Sequence, residues 1–403
     1  MYKEVFCLIN NLKENKEKLE LYLNNKTYKD IDIVDLVKFV YSKFGIKYNI
    51  DLEKYNELSQ YINIDKKVLF VLVDGMGYYK IKSLKDNSIL KQNLKTSIQT
   101  VNPTSTACIL TSIATASYPS DHGVFGWWQY LRKSNINCCP LPFVERKTGT
   151  KLDQKDISVQ EIFGEKSTVG ELKGTVNVSM SRNIIGSEFS NWFYGNNVNT
   201  HGFYSIKEGF NNLSGKIKKD KDSFSYMYID GLDLTSHMYG TKSKEVQDII
   251  DEIEEGILEL KKENPDTTVV ITADHGQVDM VNMMYLNQKH DYTKYFYALP
   301  SIDTRMISFF VKDECKEEFE DMFLKEFGMD VILLESKEIE KYKIFGDTKL
   351  SDKAKSALGE YVGIVVNNKF MVCDTINLED ELNTKGNHSG LTKEETTIPL
   401  IVI

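Results

Sequence analysis

Three stretches of this chain run a short apolar segment straight into an aspartate: "KKVLFVLVDGMG" over 66–77, "SFSYMYIDGLD" from Ser223 to Asp233, and "TTVVITADHGQ" from Thr267 to Gln277. Unbroken runs such as Val68–Val73, partly β-branched and closed by a turn signal, predict strands buried on both faces, the kind that parallel sheets use. Between the second and third runs, "SKEVQDIIDEIEEGILELKKEN" sets Val246, Ile249, Ile250, Ile253, Ile257, Leu258 and Leu260 at helical spacing, which predicts an amphipathic crossover helix. Strand, helix and strand in that order predict a parallel α/β sheet. Such a sheet gathers its ligands at the carboxyl ends of its strands, so Asp74, Asp233 and Asp274 are expected along one edge.

The rest of the chain divides around that core. Residues 1–66 read as an N-terminal helical extension, with Leu19, Leu21, Leu23, Val34, Leu36, Val37 and Val40 set among lysines and asparagines, and no chemistry is expected there. The core is expected over 67–294 and again over 366–403. An inserted α+β cap subdomain over 295–365 interrupts it, marked by "RMISFFV", "CKEEFEDMFLKEF" and "MDVILLES". Whether "YVGIVV" and "KFMVCD" belong to cap or core stays open. The expected architecture is α/β, a mostly parallel central sheet flanked by helices.

A net charge of −9 and a pI near 5.4 argue against a nucleic-acid groove and favour a small substrate. Nowhere do about 18 apolar residues run together, so no membrane span is expected. The N-terminus also lacks the apolar centre of a secretory signal. Six scattered cysteines, Cys7, Cys108, Cys138, Cys139, Cys315 and Cys373, form no C-x-x-C pair, which predicts a reduced, cytoplasmic protein.

Histidine is scarce: His122, His201, His237, His275, His290 and His388 are all there are. His275 follows Asp274 directly, and His237 follows Asp233 by four residues. One Asp-His pair in a loop is commonly just polar surface, but three such aspartates with two neighbouring histidines point to a metal. Mixed carboxylate and imidazole donors suit Zn²⁺ or a related first-row ion better than Mg²⁺ or Ca²⁺. A second candidate stretch is "NPTSTACILTS", Asn102 to Ser112, where Thr104, Ser105 and Thr106 stand at the predicted start of a helix. Hydroxyls there often act as caps. One of them becomes a nucleophile if a metal and the helix N-terminus stabilise its alkoxide. Local pattern leaves the three equivalent.

"VDGMG", "DLTSHMYG", "TADHGQVD" and "GNHSG" followed by "EETTIPL" resemble, in that order, the metal-binding motifs of the alkaline phosphatase superfamily. The branch to which they are most similar is the nucleotide pyrophosphatase/phosphodiesterase type. The resemblance runs from about Lys67 to Ile403 around the insertion and leaves the N-terminal extension unmatched. It implies an alkaline-phosphatase-like fold with two divalent metal ions. Asp74, Asp274 and His275, with the nucleophile oxygen, would hold one ion; Asp233, His237 and His388 would hold the other. His388 rests on the resemblance alone, and Asp230 rivals Asp233 but lacks the four-residue spacing to His237. In this superfamily the nucleophile stands nine residues before a Thr-Gly that closes its helix, and a Pro-x-x-His-Gly follows. Here "YPSDHG" supplies the second element and Thr115-Ala116 occupies the place of the first, which selects Thr106, then Ser105, then Thr104. His122 reads as structural.

The resemblance implies attack by Thr106 on phosphorus, a covalent phospho-threonine and its hydrolysis, with Zn²⁺ as the first candidate ion and Mn²⁺ or Fe as alternatives. Asn102, or a backbone N–H near Thr106, is the candidate for binding a non-bridging oxygen. A monoester dianion is often met by an arginine fork. None of the four arginines, Arg132, Arg146, Arg182 and Arg305, adjoins the nucleophile motif, which favours a phosphodiester or pyrophosphate. Phe125, Trp127, Trp128, Tyr130, Trp192, Phe193 and Tyr194 offer faces on which a base could stack, although such rings more often pack cores. The expected function is a metal-dependent phosphodiesterase or nucleotide pyrophosphatase acting on a small-molecule phosphate ester such as a nucleotide. The alternatives are a phosphomonoesterase, phosphonate hydrolase or phosphomutase, and a non-catalytic phosphate-binding module.

Overall fold

Lys67–Val73 is a strand buried along its whole length, as its unbroken apolar run predicts. It lies at the heart of a computed structural model that describes residues 17, 19, 20, 30–164, 166–374 and 383–403. Seven strands form the central sheet, in the order Leu94–Gln99, Thr397–Val402, Thr267–Thr272, Lys67–Val73, Ser223–Ile229, Thr175–Ser181, Asn199–Phe203. The last five pair in parallel. Thr397–Val402 runs antiparallel to both its neighbours. The three runs that end in aspartate are thus adjacent strands, and the fold is the mostly parallel α/β sheet expected.

The crossover helix spans Lys244–Glu263, capped by Ser243, whose hydroxyl accepts the Val246 N–H. Val246, Ile250, Ile253, Ile257 and Leu260 are buried beneath it. Leu258, read above as part of that stripe, is 56% exposed on the other side of the helix.

Before the first sheet strand, helices Ile33–Ser42 and Leu52–Tyr61 pack on the core and are joined by a buried Lys54–Asp35 ion pair of 2.6 Å. Leu21 and Leu23, with most of the first 29 residues of the expected extension, lie outside the described residues.

Residues 301–365 build a separate four-stranded sheet, antiparallel throughout, in the order Ser301–Ile302, Met306–Phe309, Tyr361–Val365, Val331–Glu335. Helices Lys316–Phe327, Ser336–Lys341 and Asp352–Ala357 accompany it. "YVGIVV" therefore joins this sheet, whereas Lys369–Val372 pairs with Asn282–Tyr285 elsewhere. Contacts to the rest of the molecule include a Trp128–Ile302 bridge and the Phe125 ring against Phe345, 4.5 Å between centroids.

Candidate metal centre

Each of the strands Lys67–Val73 and Thr267–Thr272 delivers a carboxylate just past its carboxyl end, Asp74 from the first and Asp274 from the second. Asp233 departs from the expectation. Its strand stops at Ile229 and the helix Gly231–Tyr239 begins at once, so Asp233 stands in the first helical turn. One turn along, His237 shares its face, and His237 Nε2 lies 3.3 Å from Asp233 Oδ2. His388 arrives from far along the chain, where Gly386–Asn387 pairs with Val278–Asp279, just after the Asp274-His275 loop. Its ring stacks on that of His275, 3.9 Å between centroids at 18°.

Two groups result. Asp74, Asp274 and His275 present ligand atoms within 4.8 Å of one another, and so do Asp233, His237 and His388. The residues fit a pair of cations on two grounds. Asp74 Oδ1 and Asp274 Oδ2 are buried oxygens with no hydrogen-bond partner among the described residues, an arrangement that costs free energy unless a cation satisfies them. The charges also need compensation. Burial, with the charges of Asp274 and Asp233, pushes the Asp74 carboxyl well above its usual range, and burial pushes Asp274 up to about 6. Burial lowers His275 to about 3. At Asp233 burial acts upward too, but His237 and His388 outweigh it and hold that carboxyl low. His237 rises to about 9, where Asp233 outweighs the effect of burial.

Neighbouring groups hold these side chains in place. Tyr228 donates its hydroxyl to Asp74 Oδ2, and Gln277 donates its amide to Asp233 Oδ1. Asp274 Oδ1 accepts the N–H groups of Gly75 at 3.0 Å and His275 at 2.8 Å. Imidazole and carboxylate ligands of metals characteristically carry such partners. Sequence reading missed Tyr228 and Gln277, although both stand within five residues of a motif aspartate.

The three hydroxyls separate by their partners. Thr104 is buried and donates to Gly390 O at 2.9 Å. Ser105 is buried and donates to Asp303 Oδ2 at 2.8 Å. It is the N-cap residue of helix Thr106–Thr115, yet its side chain caps no backbone N–H, so the capping reading is corrected: the carboxylate takes the hydroxyl instead. Thr106 is the first residue of the helix and part-exposed, with Oγ1 3.3 Å from His275 Nε2.

Asn102 is buried, and its amide donates to Ile344 O at 3.3 Å, facing the insertion. Every arginine is engaged: Arg305 by Glu395, Arg146 by Asp374, Arg132 by the Leu358 carbonyl, and Arg182 over the Tyr204 ring. Of the seven aromatic rings, Phe125, Tyr130, Trp192, Phe193 and Tyr194 are buried, and Trp128 lies under the Arg146 guanidinium at 3.9 Å; Trp127 alone is strongly exposed, at 40%. His122 is buried 2.9 Å from Ser112 Oγ and accepts the Val124 N–H, and burial lowers it to about 3.

Comparison with known proteins gives a family. The profile of type I phosphodiesterase / nucleotide pyrophosphatase matches residues 68–389. Among solved structures, murine ectonucleotide pyrophosphatase / phosphodiesterase 5, in an inactive form in complex with AMP, is similar with a TM-score of 0.62 and 16% identity, over 83% of this chain and 87% of that one. The human protein of the same name gives 0.62 and 15%, over 84% and 87%. At these identities the likeness is one of fold. No curated protein sequence matches the chain.

Proposed function

This chain belongs to the type I phosphodiesterase / nucleotide pyrophosphatase family, hydrolases of phosphodiester or pyrophosphate bonds, and we propose that it cleaves such a bond in a nucleotide or similar small molecule through a covalent phospho-threonine on Thr106. The observation that supports the reading most directly is the position of Thr106, the one hydroxyl of three left part-exposed and beside His275.

In this reading Asp74, Asp274, His275 and the Thr106 oxygen hold one divalent ion, and Asp233, His237 and His388 hold the other. When bound, the ions supply Lewis-acid activation of the nucleophile and neutralise charge on the leaving oxygen. Zn²⁺ suits the oxygen and imidazole donors best, with Mn²⁺ and iron as alternatives. The Thr106 hydroxyl gives up its proton to solvent, and Oγ1 forms a bond to phosphorus as the bond to the leaving oxygen breaks in line with it, the leaving group departing as an alcohol from a diester or as a phosphate from a pyrophosphate. The N–H groups at the start of the helix favour the charge that develops. A water then displaces the threonine oxygen and restores the hydroxyl. With all four arginines engaged elsewhere, the singly charged phosphate of a diester suits the site better than a monoester dianion. A cytoplasmic place of action is part of the same reading, resting on the scatter of the cysteines.

The test compares hydrolysis of bis-p-nitrophenyl phosphate, p-nitrophenyl phosphate and a nucleotide phosphodiester after chelation and after addition of Zn²⁺ or Mn²⁺. Metal-restored turnover of the diesters is expected. A faster monoester would replace the substrate class, and no turnover of any ester would end the enzymatic reading.

A further inference from the structure

Three consecutive residues of the insertion each grip a neighbour of the site. Asp303 accepts the Ser105 hydroxyl, one residue before Thr106. Thr304 Oγ1 donates to Asn387 Oδ1 at 3.3 Å, and that same oxygen accepts the His388 N–H at 2.8 Å. Arg305 donates its backbone N–H to Ser389 Oγ at 3.0 Å.

The Arg305 side chain does more. Arg305 and Glu395 are both fully buried and meet in a two-pronged ion pair, Nε to Oε1 at 2.7 Å and Nη2 to Oε2 at 2.9 Å. Nη1 donates to the carbonyls of Asn367 at 2.6 Å and Lys369 at 2.5 Å. Glu395 in turn accepts the N–H of Gly390 at 2.8 Å, and the N–H and hydroxyl of Thr392. The loop carrying His388 is thus folded around one carboxylate, and the partner of that carboxylate comes from the insertion.

A buried ion pair is a poor source of net stability, because desolvating two charges offsets most of their attraction. What this one supplies is geometry. Asp74, Asp274 and His275 follow long strands at the centre of the main sheet, whereas His388 follows a two-residue strand and is succeeded by Ser389 at φ 85, a conformation that needs surrounding support. We propose that Arg305 and Glu395 are positioning residues for His388, so that the Asp233–His237–His388 site holds its cation only while this pair is intact. The inference rests on the two-metal reading above, and it makes the insertion a structural part of one metal site rather than a detachable cover.

The experiment is calorimetric titration of the metal-free full chain with Zn²⁺. Wild-type protein is expected to bind two equivalents, and His388→Ala identifies the equivalent that depends on that histidine. Arg305→Met and Glu395→Gln are expected to weaken the same equivalent by roughly 10–100-fold and to leave the other unchanged. Thr392→Val, which removes one hydrogen bond to the carboxylate, is the milder variant should those two fail to fold, and it should weaken the same equivalent. Lys54→Met breaks a buried ion pair remote from the site and should lower thermal stability while leaving both equivalents intact. Equal weakening of both equivalents in the Arg305 and Glu395 variants, or of neither, overturns the proposal. A wild-type protein that binds fewer than two equivalents overturns the two-metal reading, and with it the proposal, before any variant is made.

Discussion

Thr104, Ser105 and Thr106 carry the same functional group and differ only in what surrounds it. Two are held by a carbonyl and a carboxylate, and the third faces His275. Thr106→Ala is therefore expected to lower kcat by several orders of magnitude in a diester assay, whereas Ser105→Ala keeps measurable turnover; the opposite pattern would transfer the nucleophile to Ser105. Tyr228→Phe removes the hydroxyl that orients Asp74 and should weaken Zn²⁺ binding by about 10-fold in a competition titration, with the fold unchanged by circular dichroism. The three aspartates and two of the histidines that the structure gathers were legible in the sequence because chemistry and secondary structure meet there within five residues. Asp303 was not, since its partner Ser105 lies far along the chain, and at Glu395 the local Thr392 spacing marks a helix cap without pointing to the distant Arg305. Asn102 was singled out by adjacency to the hydroxyls alone, a signal that does not say where a side chain points; its amide N–H donates to the Ile344 carbonyl.

Helix ends decide much of what the elements do. Helix Thr106–Thr115 stops at Ala116, which adopts the left-handed conformation at φ 50 where glycine is the usual residue. The strain that a Cβ meets there predicts that Ala116→Gly stabilises the protein by about 0.5–1 kcal/mol, read from urea unfolding midpoints. A loss of stability would mean that packing of the Ala116 methyl outweighs the backbone term. At the other end of the site, helix Gly231–Tyr239 begins so soon after its strand that Asp233 moves from strand end to helix face. Apolar runs reveal strands well, but here the Asp230-Gly231 pair that closes the strand also opens the helix, and reading the run through to its last aspartate extended the strand to Asp233. The crossover helix was legible because five of its apolar positions are buried at helical spacing, Leu258 being the exception.

Across the whole molecule, the buried charges shape the response to acid. The Arg305 guanidinium and the hydrogen bonds of Thr392 and Gly390 outweigh burial and hold the Glu395 carboxyl below its ordinary value of 4.5. The stability it contributes is present above that pH and is lost as pH falls through the lower folded value. The difference in urea midpoint between wild type and Glu395→Gln should therefore be largest near neutrality and shrink on acidification; a constant difference would contradict it. The parallel core was legible from its three aspartate-ending runs, but the placement of Thr397–Val402 inside the sheet, one strand from its edge, was not, because pairing order in a sheet leaves no trace in local periodicity.

That placement bears on how the protein comes into being. Thr397–Val402 lies between Leu94–Gln99 and Thr267–Thr272, so a strand made early waits for one made some three hundred residues later. While the chain is still being translated the sheet stays open along that seam, exposing two strand edges that invite pairing with other chains. His388 and Glu395 emerge just ahead of the closing strand, so the candidate site lacks both residues until that strand is about to be made. The candidate site and the sheet are completed together.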